Sequence, residues 1–280
     1  MTVLLLGGTG KTSSRIARLL EKANITVLLA SRSGTGPAPF QSCHFDWFNP
    51  STYNNPFTQV ADITAVYLIP PFTLNMFTPM KSFTELARRN GVQRFVFLSG
   101  SILDDGDLAT RQFHEYLTGL GVDYAIICPT WFMENLSEVN VALIRDKNMI
   151  CSATCDGKIP WVSVDDVAMV AYHALVDEPA HNTAHLVLGP ELLSYDDVAE
   201  ILSKALGRKI SHVRISEEEV AADLQSAGGL EPGYARMLAA LDTAVAHGIE
   251  ERLNEKVLQI TGRSPKAFKE FVEANKAVWT

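Results

Sequence analysis

The sequence of 280 residues predicts a doubly wound α/β fold of the Rossmann type, followed by a smaller, mainly helical region. Three observations carry that prediction. Short apolar segments alternate with amphipathic ones through about the first 130 residues. The first apolar segment runs straight into the turn Gly7-Gly8-Thr9-Gly10. Beyond about residue 130 the alternation gives way to a succession of helical segments. The expected division is therefore 1–130, a dinucleotide-binding domain, and 131–280, a substrate-binding region from which some segments return to the sheet.

The elements follow in order. Val3 to Leu6 reads as a buried strand. Thr12 to Lys22 has helical spacing, with Ile16, Leu19 and Leu20 on one face. Ile25 to Ala30, Ala65 to Ile69, Arg94 to Leu98 and Tyr124 to Ile127 are further strands. Met80 to Asn90 and Gln112 to Leu120 are the helices between them. Such uninterrupted apolar strands belong to a parallel sheet covered on both faces. Right-handed crossovers then bring every strand's carboxyl end to one edge, where ligands bind. In the second region Trp161 to Asp166 opens a helix through Val176, with Asp165 or Asp166 as cap or first-turn acid. His185 to Leu188 is a strand. Ser194 caps a helix that ends at Gly207, and Ser216 to Ala227 and Gly233 to His247 are helical. Ser264-Pro265 is expected to start a last helix through Ala277, with proline in its first turn.

Composition narrows the function. Apolar residues make up 47% and charged residues 20%, ordinary for a soluble globular chain. The net charge of −8 argues against nucleic acid as a partner, because binding it takes a basic patch. No apolar run reaches the ~18 residues of a membrane-spanning helix, and Thr2 to Leu6 is too short and lacks the basic flank of a signal peptide. A cytoplasmic protein is expected. The four cysteines, Cys43, Cys128, Cys151 and Cys155, form no CxxC pair, and with seven scattered histidines they give no metal-ligand spacing. They read as free thiols of a reducing compartment.

The glycine turn carries the chemistry. Gly7-Gly8-Thr9-Gly10-Lys11-Thr12-Ser13 lies between a strand and a helix. Glycine lets the chain turn sharply and lets backbone approach a pyrophosphate, and the helix N-terminus offers N–H groups and the positive end of its dipole. Gly7, Thr9, Gly10, Lys11 and Thr12 are thus candidate phosphate contacts. A P-loop is excluded, since GxxxxGK(S/T) requires glycine at the position of Leu5. The second strand decides between the two nicotinamide cofactors. It ends in Ser31-Arg32-Ser33, with no acid to bind a ribose 2′-hydroxyl. Arg32 can fork onto a 2′-phosphate and the two hydroxyls can add hydrogen bonds, so NADPH is expected. Asp46 and Trp47 are candidates to line the adenine, Ile69-Pro70-Pro71 the ribose and pyrophosphate path, and Ser99 the nicotinamide.

The acid of an ordinary carbonyl reductase is missing. Such enzymes use a tyrosine with a lysine four residues on, the lysine lowering the tyrosine's pKa. Here Tyr116 is followed at that spacing by Leu120, Tyr124 by Cys128 and Tyr172 by Val176. An iminium ion escapes the need, because it accepts hydride and becomes a neutral amine without a proton. Asp165, Asp166, Glu134 and the net acidity are compatible with a cationic substrate, although acids on a surface or at a helix start are common.

The stretches Leu5-Leu6-Gly7-Gly8-Thr9-Gly10-Lys11-Thr12, Phe95 to Ser99, Pro129 to Asn135 and Asp156 to Pro160, with the ending Phe268 to Trp279, resemble the NmrA-like atypical short-chain dehydrogenases. Within them the sequence is most similar to the fungal clavine dehydrogenases (agroclavine and festuclavine dehydrogenases) of ergot alkaloid pathways. The resemblance runs nearly end to end. It implies NADPH-dependent reduction of a cyclic iminium, formed when an amine condenses with an aldehyde of an indole alkaloid precursor. It also implies a small-molecule indole alkaloid substrate as partner. Three departures stand out. Thr110 or Arg111 occupies the place of a lysine found in many relatives, Cys128-Pro129 replaces an arginine–proline pair, and Cys155 stands where glycine or a polar residue is expected.

The remaining site candidates are Ser101, placed to touch the substituent of the reacting carbon; His114, whose titration range suits proton transfer; and Asp166, a charge partner for an amine. Trp131, Phe132 and Met133 can wall a flat indole by stacking and also hold a cation. Each has a plainer reading as a cap, a surface residue or core packing. Three functions remain open on these residues: an iminium reductase, a reductase that also closes a ring in a Pictet–Spengler reaction, and an NADP(H)-sensing regulator without catalysis.

Overall fold

The computed structural model describes residues 1–102 and 108–280. In chain order the elements are β1 (Thr2–Leu6), α1 (Lys11–Lys22), β2 (Thr26–Ser31), β3 (Gln41–His44), α2 (Asn55–Gln59), β4 (Ile63–Leu68), α3 (Phe77–Arg89), β5 (Arg94–Leu98), α4 (Leu108–Thr118), β6 (Asp123–Pro129), α5 (Glu134–Glu138), α6 (Val141–Lys147), β7 (Met149–Ser152), α7 (Val164–Val176), β8 (Thr183–Val187), α8 (Tyr195–Leu206), β9 (Ser211–Arg214), α9 (Glu217–Ser226), α10 (Pro232–Ala246), α11 (Lys256–Thr261) and α12 (Phe268–Asn275). Among the described residues no helix is long and apolar enough to cross a membrane.

A seven-stranded sheet has the order β3-β2-β1-β4-β5-β6-β8. The pairings from β3 through β6 are all parallel. The chain runs outward from β1 through β2 to β3, then crosses back to β4 on the other side of β1. This makes the end of β1 the topological switch point, where doubly wound sheets bind ligands. Every residue of β1 is buried, as are Val27 to Ser31 in β2 and Phe95 to Phe97 in β5. Burial on both faces is what the apolar, non-alternating strand sequences required. A separate two-stranded parallel sheet joins β7 to β9.

Two compact units divide the chain, 1–128 with 167–185, and 129–166 with 186–280. The first unit leaves the chain after β6 and takes it back for most of α7 and the first half of β8. Arg94 anchors that returning segment. Its buried guanidinium donates to the carbonyls of Leu175 and Asp177 at 3.0 and 2.9 Å and to the Glu178 carboxylate at 2.7 Å. The second unit has its own core, in which Trp161, Phe268, Phe271 and Trp279 pack with Met133, Leu136 and Leu202.

Caps set the helix boundaries. Ser194 and Ser216 both form reciprocal capping boxes, with Asp197 and Glu219. Gly207 closes α8 in the left-handed region at φ 64°. The expected start of the last helix at Ser264-Pro265 is corrected, since α12 begins only at Phe268. The N–H groups of Lys266 and Phe268 are taken by the carboxylates of Asp166 and Glu191, at 2.8 and 2.9 Å, which holds this stretch out of the helix. Cys155 has a positive φ of 48°, a conformation that favours glycine. That explains why glycine is the natural expectation there.

Candidate functional site

The first unit builds its candidate site around the turn after β1. Gly7 bends the chain with φ 58°, the Gly8 N–H donates to the Ala30 carbonyl at 2.9 Å, and the Gly10 N–H returns to Gly7 at 2.7 Å. Gly8 has no room for a side chain: a Cβ there would stand 2.7 Å from Cβ of Leu29. The close approach of Gly8 to β2 is a packing fact that no spacing reveals. Ser13 donates its hydroxyl to the Leu6 carbonyl at 2.8 Å, tying the helix start to the strand end. No side chain caps α1 at Gly10. The opening turn of a 12-residue helix thus points at the switch point with its dipole unopposed by an acid in the first turn.

Beyond β2, Ser31, Ser33 and Thr35 form a ladder of hydroxyls. Ser31 lies 3.2 Å from Ser33 and donates to the Thr35 carbonyl at 2.9 Å, and Ser33 lies 2.8 Å from the Thr35 hydroxyl. Thr35 joins this ladder without any motif in the sequence to mark it. Arg32 is exposed and makes no ion pair among the described residues. A guanidinium with no acidic partner, at the rim of a hydroxyl-rich loop, is suited to a phosphate.

Asp46 and Trp47 follow β3. The Asp46 carboxylate accepts the Phe48 N–H at 2.9 Å, and the Trp47 indole N–H donates to the Ile69 carbonyl at 2.9 Å. Two segments that the sequence reading singled out separately are therefore joined. The Trp47 ring sits in an edge-to-face cluster with Phe45 and Phe83, centroids 4.9 and 5.6 Å away. Ile69 meanwhile reaches the glycine turn, its Cδ1 standing 3.0 Å from where a Gly7 Cβ would be. Pro70 is half-buried and Pro71 buried.

At the end of β5 the Ser99 hydroxyl lies 3.0 Å from Nε2 of His114 on α4. His114 also stands edge-on to Phe97, with centroids 5.6 Å apart. Ser101 is buried. Tyr116, the tyrosine of α4, is a packing residue. Its ring meets Phe77 and Phe113, its hydroxyl has no hydrogen-bond partner among the described residues, and burial pushes its pKa up. A shallow hollow of about 450 Å³, lined by Arg88, Gln93, Val122 and Asp123 among others, lies before β5 and β6. It is at the edge of the sheet opposite the glycine turn.

The second unit holds the other candidates. Trp131 and Phe132 are half-buried, and their strand segment pairs with Val162. Met133 is fully buried in the core of this unit, beside Leu136 and Ile150. Its assignment to a substrate wall is therefore corrected, because a side chain enclosed by core neighbours presents no surface to a ligand. Glu134 is buried and accepts the Ser163 hydroxyl at 2.9 Å and the Val164 N–H at 2.8 Å, capping α7. Asp166 lies in the first turn of that helix and accepts the Lys266 N–H. Burial pushes its pKa to about 6 against the opposing pull of Lys266, and the geometry gives it a structural task. Asp242 on α10, not foreseen, is a buried carboxylate that accepts the Ala153 N–H at 3.1 Å; burial raises its pKa. Cys43 and Cys128 are buried thiols, and Cys155 is exposed. Burial pushes Cys43 up to about 11, so it is no nucleophile.

A Rossmann sheet with an open glycine turn at its switch point defines the class of dinucleotide-binding proteins. Residues 80–272 match the NmrA-like family, and the chain belongs to that family. It is 43% identical over its full length, and the full length of the relative, to festuclavine synthase I of Penicillium roqueforti. It is 43% identical to an agroclavine dehydrogenase of Claviceps fusiformis, over 100% of this chain and 99% of the relative. The fold is that of a triphenylmethane reductase of Citrobacter sp. solved with NADP(H), with a TM-score of 0.79 at 18% identity over 98% of this chain and 100% of that one. The quinone oxidoreductase QOR2 of Escherichia coli, solved with NADPH, gives a TM-score of 0.78 at 18% identity over 97% and 99% of the two chains.

Proposed function

We propose that this protein is an NADPH-dependent oxidoreductase that transfers hydride to the C=N bond of a cyclic iminium in fungal indole alkaloid metabolism. The observation that carries the reading is the uncapped glycine turn with the exposed Arg32 beside it, in a chain 43% identical end to end to proteins named festuclavine synthase and agroclavine dehydrogenase. The residues fit the cofactor. A side chain at Gly8 would collide with β2, so the turn is kept bare, and among the described residues Arg32 has no acid to neutralise it. Solved neighbours that carry NADP(H) or NADPH support the same choice.

In this reading Gly7, Thr9, Gly10, Lys11 and Thr12 hold the pyrophosphate through backbone N–H groups and the helix dipole. Ser31, Arg32 and Ser33 hold the 2′-phosphate, and Asp46 and Trp47 line the adenine. Ile69, Pro70 and Pro71 flank the ribose, and Ser99 adjoins the nicotinamide. Bound NADPH supplies the hydride. Trp131 and Phe132 stack on the indole and favour a cation through their ring faces, and Ser101 touches the substrate. Reduction of the cation needs no proton, which is consistent with Tyr116 being spent on packing and lacking a lysine four residues on.

The test is incubation with NADPH deuterated at the transferable position and a dihydro-β-carbolinium salt. Deuterium in the amine product is the expected result. NADPH that binds but is never oxidised would replace this reading with a cofactor-sensing role. A product formed by water loss alone, from an indole amine and an aldehyde, would point to ring closure.

A further inference from the structure

The structure joins two residues that the sequence left apart, Ser99 at the carboxyl end of β5 and His114 on α4. Their side chains meet at 3.0 Å, Oγ to Nε2. The imidazole packs edge-to-face with Phe97. Ser99 sits at the same edge of the sheet as the glycine turn, since β1, β4 and β5 are parallel neighbours and both residues follow a strand end. A hydroxyl backed by an imidazole is a proton relay: the hydroxyl is a weak acid alone, and the imidazole is the side chain whose ordinary titration lies closest to neutrality. An iminium has no use for it, because no oxyanion forms.

Resting on the function proposed above, we infer that Ser99 and His114 give the same site a second activity, the reduction of a carbonyl of matching shape to an alcohol. The carbonyl carbon accepts hydride from NADPH, which is oxidised to NADP+, and the π pair moves to oxygen. Ser99 gives its hydroxyl proton to that oxygen as the new O–H bond forms. His114, as the imidazolium, gives its Nε2 proton to Ser99 and is left neutral, and solvent reprotonates it for the next turnover. The pair thereby does the work of the absent tyrosine and lysine.

The experiment compares turnover of a dihydro-β-carbolinium salt with that of a tetrahydrocarbazolone of similar ring size, in the wild type, Ser99→Ala and His114→Gln. Positioned proton transfer is worth ~100-fold or more. The ratio of ketone to iminium turnover is therefore expected to fall by about 100-fold in each variant, with no further fall when the two are combined. A second readout needs no turnover. In the cofactor-free protein the ¹⁵N shifts of the His114 imidazole change in Ser99→Ala, because the hydroxyl 3.0 Å from Nε2 is gone. An untouched ketone with a reduced iminium overturns the relay and leaves the iminium reading standing. Failure of both substrates overturns both. An equal loss on the two substrates, or imidazole shifts that ignore Ser99→Ala, makes the pair structural and overturns the relay. Should His114→Gln fail to fold, Ser99→Ala, which removes a single oxygen, decides the matter.

Discussion

Arg32 is the residue whose contribution can be measured most directly. It is exposed and has no acidic partner among the described residues. A hydrogen bond to a charged group is worth roughly 1.5–3 kcal/mol, or ~10- to 150-fold in affinity. Arg32→Ala should weaken NADPH binding by that factor and leave NADH binding nearly unchanged. Titration of intrinsic fluorescence with both cofactors reads the difference, and equal losses would remove the 2′-phosphate from its assignment. Gly8 makes a sharper demand. Gly8→Ala places a methyl 2.7 Å from Leu29 Cβ and 3.1 Å from its Cα. Overpacking of this kind costs about 1–3 kcal/mol and would displace the turn that receives the pyrophosphate. Loss of both thermal stability and NADPH binding is expected, measured by thermal unfolding with and without cofactor.

At the scale of the element, the start of α7 is governed by two carboxylates, one buried and one half-buried. Glu134 caps its start, and Asp166 in its first turn accepts the Lys266 backbone N–H. Asp166 has a folded pKa raised to about 6, so the folded state binds more protons than the unfolded state between about pH 4 and 6. Its contribution to stability therefore falls as pH rises through that window. Asp166→Asn keeps the acceptor and removes the half-buried charge. It should stabilise the protein by about 1–3 kcal/mol above pH 6, with the gain vanishing below about pH 4. Denaturant unfolding at the two pH values checks this, and a gain independent of pH would refute it. His212 on β9 works in the opposite direction. Its Nε2 lies 2.9 Å from the Ser152 hydroxyl and its Nδ1 3.1 Å from Asp196, and burial lowers its pKa. Below the ordinary imidazole range the unfolded state binds the extra proton, so this contribution is lost as pH falls. The arrangement resembles a catalytic triad, but Ser152 is only 1% exposed and is held by Thr154 at 2.8 Å, so it works as a staple between β7, β9 and α8.

For the whole molecule, cofactor binding should register as stability. A ligand at ~100 times its Kd stabilises the folded state by about 2.7 kcal/mol, on the order of 5 °C in Tm for a chain of this size. NADPH should produce that shift and Arg32→Ala should shrink it; a flat Tm at saturating NADPH would remove the cofactor. At this scale the legibility of the chain was uneven. β5 begins and ends where the apolar run Arg94 to Leu98 does, and the glycine turn lies where its spacing placed it. Both are local signals, a buried strand and a turn chemistry. The short strand β3 was missed because only Cys43 of its four residues is buried, which leaves no pattern to read. β7 and β9 were missed because each is made a strand by the other, across some sixty residues of chain. The start of α12 was misplaced because distant carboxylates, Asp166 and Glu191, hold the preceding N–H groups. By itself the sequence determined the parallel sheet, the bare glycine turn and the arginine beside it, because each depends on residues adjacent in the chain. Tertiary structure alone decided that Met133 belongs to a core, that Trp47 locks onto Ile69, and that Ser99 meets His114. Such contacts are set by how strands and helices pack in three dimensions, and no local pattern encodes that distance.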